Sequence, residues 1–345
     1  MSGDTEKREP DQLEGVASPE MQTLVLGHET PRAAIIEQLD RARLPTGILL
    51  HGPRGIGKAT LAFDIARTVL ARTGDEAAEH VAAQIAAGSH PNLRVLRRAP
   101  KDSGSGFYTV IRVEEVRGFV EELRMTRGRA GFRLAIIDAI DDCNPSASNA
   151  LLKILEEPPP ETLFMLVSHR PGSLLPTIRS RCHSVALRPM TDADVREVLV
   201  AADAASEGLD EAVALAGGRP RRAYEALALG DAKPLSDLKS WLSAPDRGAA
   251  AISTGIADAL AADRAGAMHA FAQQMTLDWI AEEARNAAES GRRARLASAG
   301  ELWDKATAQF ADAEEYNLDA RQTLTGVFDA IRRHALTHFS LAEAR

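Results

Sequence analysis

A chain of 345 residues holds two or three domains of ordinary size, and its 45% hydrophobic and 26% charged residues match a folded globular protein. The net charge of −8 excludes a surface built throughout for nucleic acid and leaves room only for local basic contacts. Two cysteines, Cys143 and Cys182, exclude a disulfide framework and a cysteine-rich zinc site within this chain.

The first 18 residues are charged, lack the apolar centre of a signal peptide, and are expected to form a disordered tail on a cytoplasmic protein. Next comes "GILLHGPRGIGKATLAFDIAR", residues 47–67, in which a short apolar run, a glycine loop and helical spacing of Leu61, Ile65 and Val69 predict strand, loop and helix. The loop follows the phosphate-binding pattern G-x-x-x-x-G-K-[ST] except at its last position. Gly52, Pro53, Arg54, Gly55, Ile56, Gly57 and Lys58 are the candidate phosphate cradle. Ala59 stands where a hydroxyl would hold Mg²⁺, and Thr60 carries a hydroxyl about 100° further round the helix.

Residues 73–88 are Ala-rich and helical in composition. The segments "HPNLRVLRRAPK" and "IRVEEVRGFVEELRMTRGRAGFR" are rich in arginine. The second reads as an amphipathic helix with Val113, Val116, Val120 and Leu123 as its stripe, and Arg112 and Arg117 lie either on a solvated face or against phosphate. "RLAIID", 133–138, reads as a parallel strand buried on both faces. An ATPase of this plan needs a second carboxylate as base next to the metal-binding one, but Asp138 is followed by Ala139, and Asp141 and Asp142 read as solvent-facing or capping residues.

"CNPSASNALLKILEEPPP" reads as a helix capped by Asn144, opened by Pro145 and stopped by Pro158. Strands are expected at 162–168 and 184–187, and the alternation implies a parallel α/β sheet. Between them Arg179 and Arg181 read, on their own, as surface arginines or as partners for Glu156 and Glu157. Cys143, Cys182, His90, His169 and His183 are too scattered for a metal site and are assigned to packing. From Arg188 the strand signals stop. Thr191 and Asp194 form a capping-box pattern, "AGGRPRRA" breaks the next segment, and residues 240–345 read as a helical bundle.

In "HGPRGIGKATLA", "SHPN", "IRVEEVRGFVEEL", "NALLKILEEPP", "LLPTIRSRC" and "YNLDARQTL" the chain resembles the delta-prime subunits of the bacterial DNA polymerase III clamp loader, within the AAA+ clamp-loader family. The resemblance implies an α/β AAA+ P-loop domain (19–187), a small helical lid (188–239) and a helical collar that oligomerises (240–345). It further implies a subunit that does not hydrolyse ATP and offers Arg181, in the Ser-Arg-Cys triplet, to a neighbour's nucleotide. The implied partners are the gamma/tau ATPase subunits, the delta subunit, the sliding clamp and primer-template DNA. No cofactor is required on this reading, weak ATP or ADP binding is allowed, and zinc is not expected, since residues 73–88 lack the cysteines many relatives carry there. His169 replaces the usual sensor asparagine, and either Arg221 or Arg222 would be the lid arginine. An autonomous AAA+ ATPase is the rival; it requires Mg²⁺-dependent turnover by the chain alone.

Overall fold

The computed structural model describes residues 10–339 apart from 103–105, 126–127, 205–206, 248 and 264–265. Two compact units emerge, Met1–Ser206 with Ala216–Tyr224, and Glu207–Leu215 with Glu225–Arg345. The expected disordered tail needs correction where it is described. Residues 10–18 form turns against the first unit, with Ser18 buried, and residues 1–9 lie outside the described residues. The sequence showed charge there but not the arginines that neutralise it.

The first unit runs α1 (Glu29–Asp40), β1 (Gly47–His51), α2 (Lys58–Thr73), α3 (Ala78–Ala86), β2 (Leu93–Leu96), α4 (Val113–Arg124), β3 (Arg133–Asp138), α5 (Pro145–Glu156), β4 (Thr162–Ser168), α6 (Pro176–Arg181), β5 (His183–Ala186) and α7 (Asp192–Ala201). The five strands are parallel in the order β2-β3-β4-β1-β5. Successive residues point to opposite faces, so Ile48, Leu50, Leu134, Ile136, Met165 and Val167 pack under α2 and α3, while Leu49, Ala135, Ile137, Phe164 and Leu166 meet α4 and α5. β1, β3 and β4 are buried on both sides, which is why they read as unbroken apolar runs.

Caps follow the sequence signals. Asn144 accepts a hydrogen bond from the Ala147 amide at 2.8 Å with Pro145 opening α5, and Thr191 and Asp194 form a reciprocal box at the start of α7. Asn92, 1% exposed, closes the loop before β3. Its Nδ2 donates to the carbonyls of Arg129, Ala130 and Phe132 at 3.1 to 3.2 Å, and its Oδ1 accepts from the Arg129 amide at 3.2 Å. Asn92→Ala would strand several buried polar groups at once. A loss of about 2 to 3 kcal/mol is expected, read as a lower urea midpoint by far-UV circular dichroism. An unchanged midpoint would remove this role.

α8 (Leu209–Ala216) and α9 (Pro220–Leu229) follow, then α10 (Lys233–Ser243), α11 (Ala250–Ala261), α12 (Ala267–Glu289), α13 (Arg293–Glu315) and α14 (Ala320–His338). A lid boundary at 239 falls inside α10, whose Leu235, Leu238, Trp241 and Leu242 are buried. No breaker marks residue 239. Trp241 meets Phe328 of α14 at a ring-centroid separation of 5.1 Å. Deeper along the bundle a single carboxylate ties three helices. Glu283 of α12, 4% exposed, pairs with Arg295 of α13 (Nη2 to Oε2, 2.6 Å) and accepts from His334 Nε2 of α14 at 3.0 Å. His334 Nδ1 in turn shares a 2.9 Å hydrogen bond with the Ser298 hydroxyl. Among the described residues, no helix is long and apolar enough to cross a membrane.

Candidate functional site

In open parallel sheets ligands bind beyond the carboxyl ends of the strands. The ends of β1, β2 and β3 here face one cleft, which is lined by the glycine loop, Asp138 and Asp142, residues 10–28 and the start of α9. The loop turns through Gly55 (φ 83°) and Gly57 (φ 89°), left-handed positions that suit glycine. A Cβ on Gly55 would lie 2.8 Å from Arg221 Cβ. Gly57 leads directly into α2, whose first-turn amides and dipole favour an anion. His28, 1% exposed, fixes the loop from outside through a 2.6 Å hydrogen bond between its Nε2 and the Ile56 carbonyl, a contact without any motif in the sequence.

The expected cradle residues are therefore together, with Arg54, Gly55, Gly57, Lys58 and Thr60 in the cleft lining. Lys58 is buried and turned back onto its own loop, donating from Nζ to the carbonyls of Gly52 at 2.8 Å and Pro53 at 2.6 Å. Burial pulls its ammonium down to about 7, against the attraction of Asp141 and Asp138.

A divalent cation does not fit these residues. Ala59 has no side-chain oxygen to offer, and the Arg97 guanidinium approaches Asp138, Nε to Oδ2, at 3.7 Å. Arg97 also covers the Phe63 ring at 5.3 Å, and Arg98 Nε pairs with Asp142 Oδ2 at 3.0 Å. Two arginines just past β2 thus supply positive charge beside the carboxylates at and after the end of β3. Burial raises the Asp138 carboxyl above its usual range, with Arg97 opposing.

The assignment of Asp141 and Asp142 to solvent or a helix cap is corrected. Asp141 accepts from the Ser168 hydroxyl (3.0 Å) and from the amides of His169 (2.6 Å) and Arg170 (2.9 Å), pinning the turn after β4. The two carboxylates bind partners far away in sequence, which local pattern does not show. His169 lies in the cleft lining, pushed down to about 4 by burial and then by the Lys58 charge, so it is neutral at pH 7. Of the two lid arginines, Arg221 lines the cleft, its amide donating to the Gly55 carbonyl at 3.3 Å, while Arg222 is buried.

Arg181 lies elsewhere, at the last turn of α6, and is not part of the cleft lining. Its Nη2 meets Glu156 Oε1 at 2.5 Å and its Nη1 donates to the Thr177 carbonyl at 2.9 Å, with 33% of the side chain exposed. The pairing with Glu156 is one that the sequence offered. Arg179 is exposed. Burial, with Asp142, Asp141 and Glu115 nearby, raises the Cys143 thiol to about 12, and burial raises Cys182 to about 11, which disfavours the thiolate at both.

A parallel sheet of this order, with a glycine loop entering α2 and an acidic end to β3, defines a P-loop module of the AAA+ class. Residues 27–191 match the family described as DNA polymerase III, delta subunit. The chain is 39% identical over 186 residues to the DNA polymerase III subunit delta' of Pseudomonas aeruginosa, covering 52% of this chain and 55% of the relative. It is 33% identical over 156 residues to the Yersinia pestis subunit delta', covering 44% of each. Against the DNA polymerase III subunit gamma/tau of Mycobacterium bovis it is 32% identical over 212 residues, 57% of this chain and 35% of the relative. Over this region the chain is similar to the delta' subunits of DNA polymerase III. The match spans about half the length of the delta' relatives.

Proposed function

We propose that this chain is a stator-like, non-hydrolysing subunit of a DNA polymerase III clamp loader, acting in the cytoplasm. It holds no working ATPase site and donates Arg181 to the ATP of an adjoining gamma/tau subunit while the sliding clamp is placed on primer-template DNA. The observation that carries this reading is the state of its own cleft: Ala59 in place of the metal-binding hydroxyl, Ala139 in place of a base, and Arg97 against the one carboxylate that would face a cation. A site so arranged retains groups that attract phosphate but lacks the means to activate water.

Arg181 suits donation in trans because it is exposed at a helix end, oriented by Glu156, and carries planar donors matched to phosphate oxygens. The helical second unit supplies assembly, with large apolar side chains of α13 and α14 such as Leu296, Trp303 and Leu336 at its surface, where the gamma/tau and delta subunits would cover them.

The test is direct. The isolated chain should hydrolyse ATP at the background rate with or without Mg²⁺ and DNA, and tagged chain should copurify gamma/tau subunits from the parent cell. Turnover abolished by Lys58→Ala, with no such partners recovered, would favour the autonomous motor.

A further inference from the structure

The cleft already contains an anion. Asp11 Oδ1 lies 2.7 Å from Arg54 Nη2 of the glycine loop and 2.7 Å from Arg98 Nη2 at the end of β2. The Asp11 carbonyl accepts a further hydrogen bond from Arg221 Nη1 of α9. Three arginines from three separate elements therefore converge on one residue of the N-terminal segment. Burial works to raise the Asp11 carboxyl, but Arg54, Arg98 and Arg221 outweigh it and hold the group below its ordinary range.

The segment is fastened at a second point. Arg97 grips Glu20 with both Nη atoms, at 3.1 and 2.9 Å, and Arg67 donates to the carbonyls of Glu20 at 3.0 Å and Gln22 at 2.6 Å. Between these points Leu13 and Val16 line the cleft. Lys58, for its part, is spent on the carbonyls of its own loop.

We infer that Arg54, Arg98 and Arg221 form a polyphosphate-binding subsite, and that residues 10–22 are a strap whose Asp11 carboxylate occupies it in place of phosphate. The planar guanidinium fork pairs with carboxylate and phosphate oxygens alike, so the same donors serve either anion. A polyphosphate carries more charge and more acceptor oxygens than one aspartate, and at sufficient concentration it displaces the strap. Until then the apparent affinity is reduced by the fraction of molecules with the strap lifted. Arg98 is the distinctive member, because it comes from β2 rather than from the glycine loop or the lid. The inference concerns this chain alone and stands whether or not Arg181 acts on a neighbour.

The experiment uses the full-length isolated chain, with tripolyphosphate as the probe in Mg²⁺-free, low-salt buffer. Titration calorimetry should show Asp11→Ala binding tripolyphosphate about tenfold more tightly than the natural chain. Asp11→Ala combined with Arg98→Ala should lose that gain. In the natural chain, saturating tripolyphosphate should speed amide hydrogen exchange across residues 10–22. Equal or weaker binding by Asp11→Ala would overturn the inference, as would exchange in the strap that stays unchanged at saturation. Unaltered thermal midpoints of the variants would establish that the fold is intact.

Discussion

Arg181→Ala is expected to lower the DNA-stimulated ATPase of the reconstituted clamp loader and to impair clamp loading while the complex still assembles. The guanidinium would neutralise charge that builds on the transferring phosphoryl group, and arginine fingers elsewhere contribute roughly 10³ to 10⁵ in rate, or about 4 to 7 kcal/mol. The full factor applies only to the site facing this subunit, so the whole complex slows partially. Arg181→Lys should rescue poorly, since an ammonium is a point charge without the two-pronged geometry. Arg179→Ala removes equal charge from the same helix and serves as control. Equal defects from the two alanine variants, or none from Arg181→Ala in an assembled complex, would return Arg181 to the plain surface ion pair with Glu156.

The other large effect is expected at Glu283. Replacing it by alanine leaves Arg295 and His334 without their shared acceptor inside the helical unit, and loss of one member of a buried pair costs about 3 to 5 kcal/mol. Arg295 retains some exposure, which places the expectation near 3 kcal/mol. All three tryptophans, Trp241, Trp279 and Trp303, lie in this unit, and Trp279 packs edge-on against His334, so intrinsic fluorescence during urea unfolding reads the change where it occurs.

The same carboxylate gives a dependence on pH. Burial would raise Glu283, but hydrogen bonds from Arg295 and His334 and their charges prevail and bring it to about 2, below the ordinary value of 4.5. The unfolded chain therefore binds the proton more readily. Stability from this group is complete above about pH 4.5 and is lost as pH falls toward about 2. Glu283→Gln should flatten that part of the profile. A profile as steep as that of the natural chain would rule out this carboxylate as its source.

The parts of the fold visible in the sequence are those where one local property decides. β3 and β4 are buried on both faces, so their residues form apolar runs whose limits coincide with the strands. The α5 boundaries follow from Asn144, Pro145 and Pro158, each of which acts on its own backbone. The last strand is His183–Ala186 rather than 184–187, since Leu187 continues beyond the ladder as a buried residue. β2 escaped notice because "LRVL" is a sheet edge with Arg94 and Val95 partly open to solvent, and its arginines suggested a surface. In α4 the expected stripe is Val113, Val116, Val120 and Leu123; of these Val116 and Leu123 are buried, Val113 and Val120 are half-buried, and Phe119 is buried outside it.

At the site, the glycine loop and the missing hydroxyl could be read directly, because a motif places them next to each other. Asp11, Glu20, His28 and Arg97 could not, because their roles are contacts across tens of residues. A charged stretch destined for an arginine cluster looks the same in sequence as one destined for water.

The two suppressed thiols give the protein a practical property. With Cys143 pushed up to about 12 and Cys182 to about 11, both are expected to stay protonated at neutral pH and to react slowly with alkylating reagents. A single cysteine introduced at the 58% exposed Met21, as Met21→Cys, would then take a maleimide dye alone on an otherwise natural chain. Chemical labelling would follow the strap without first stripping the protein of its own sulfur.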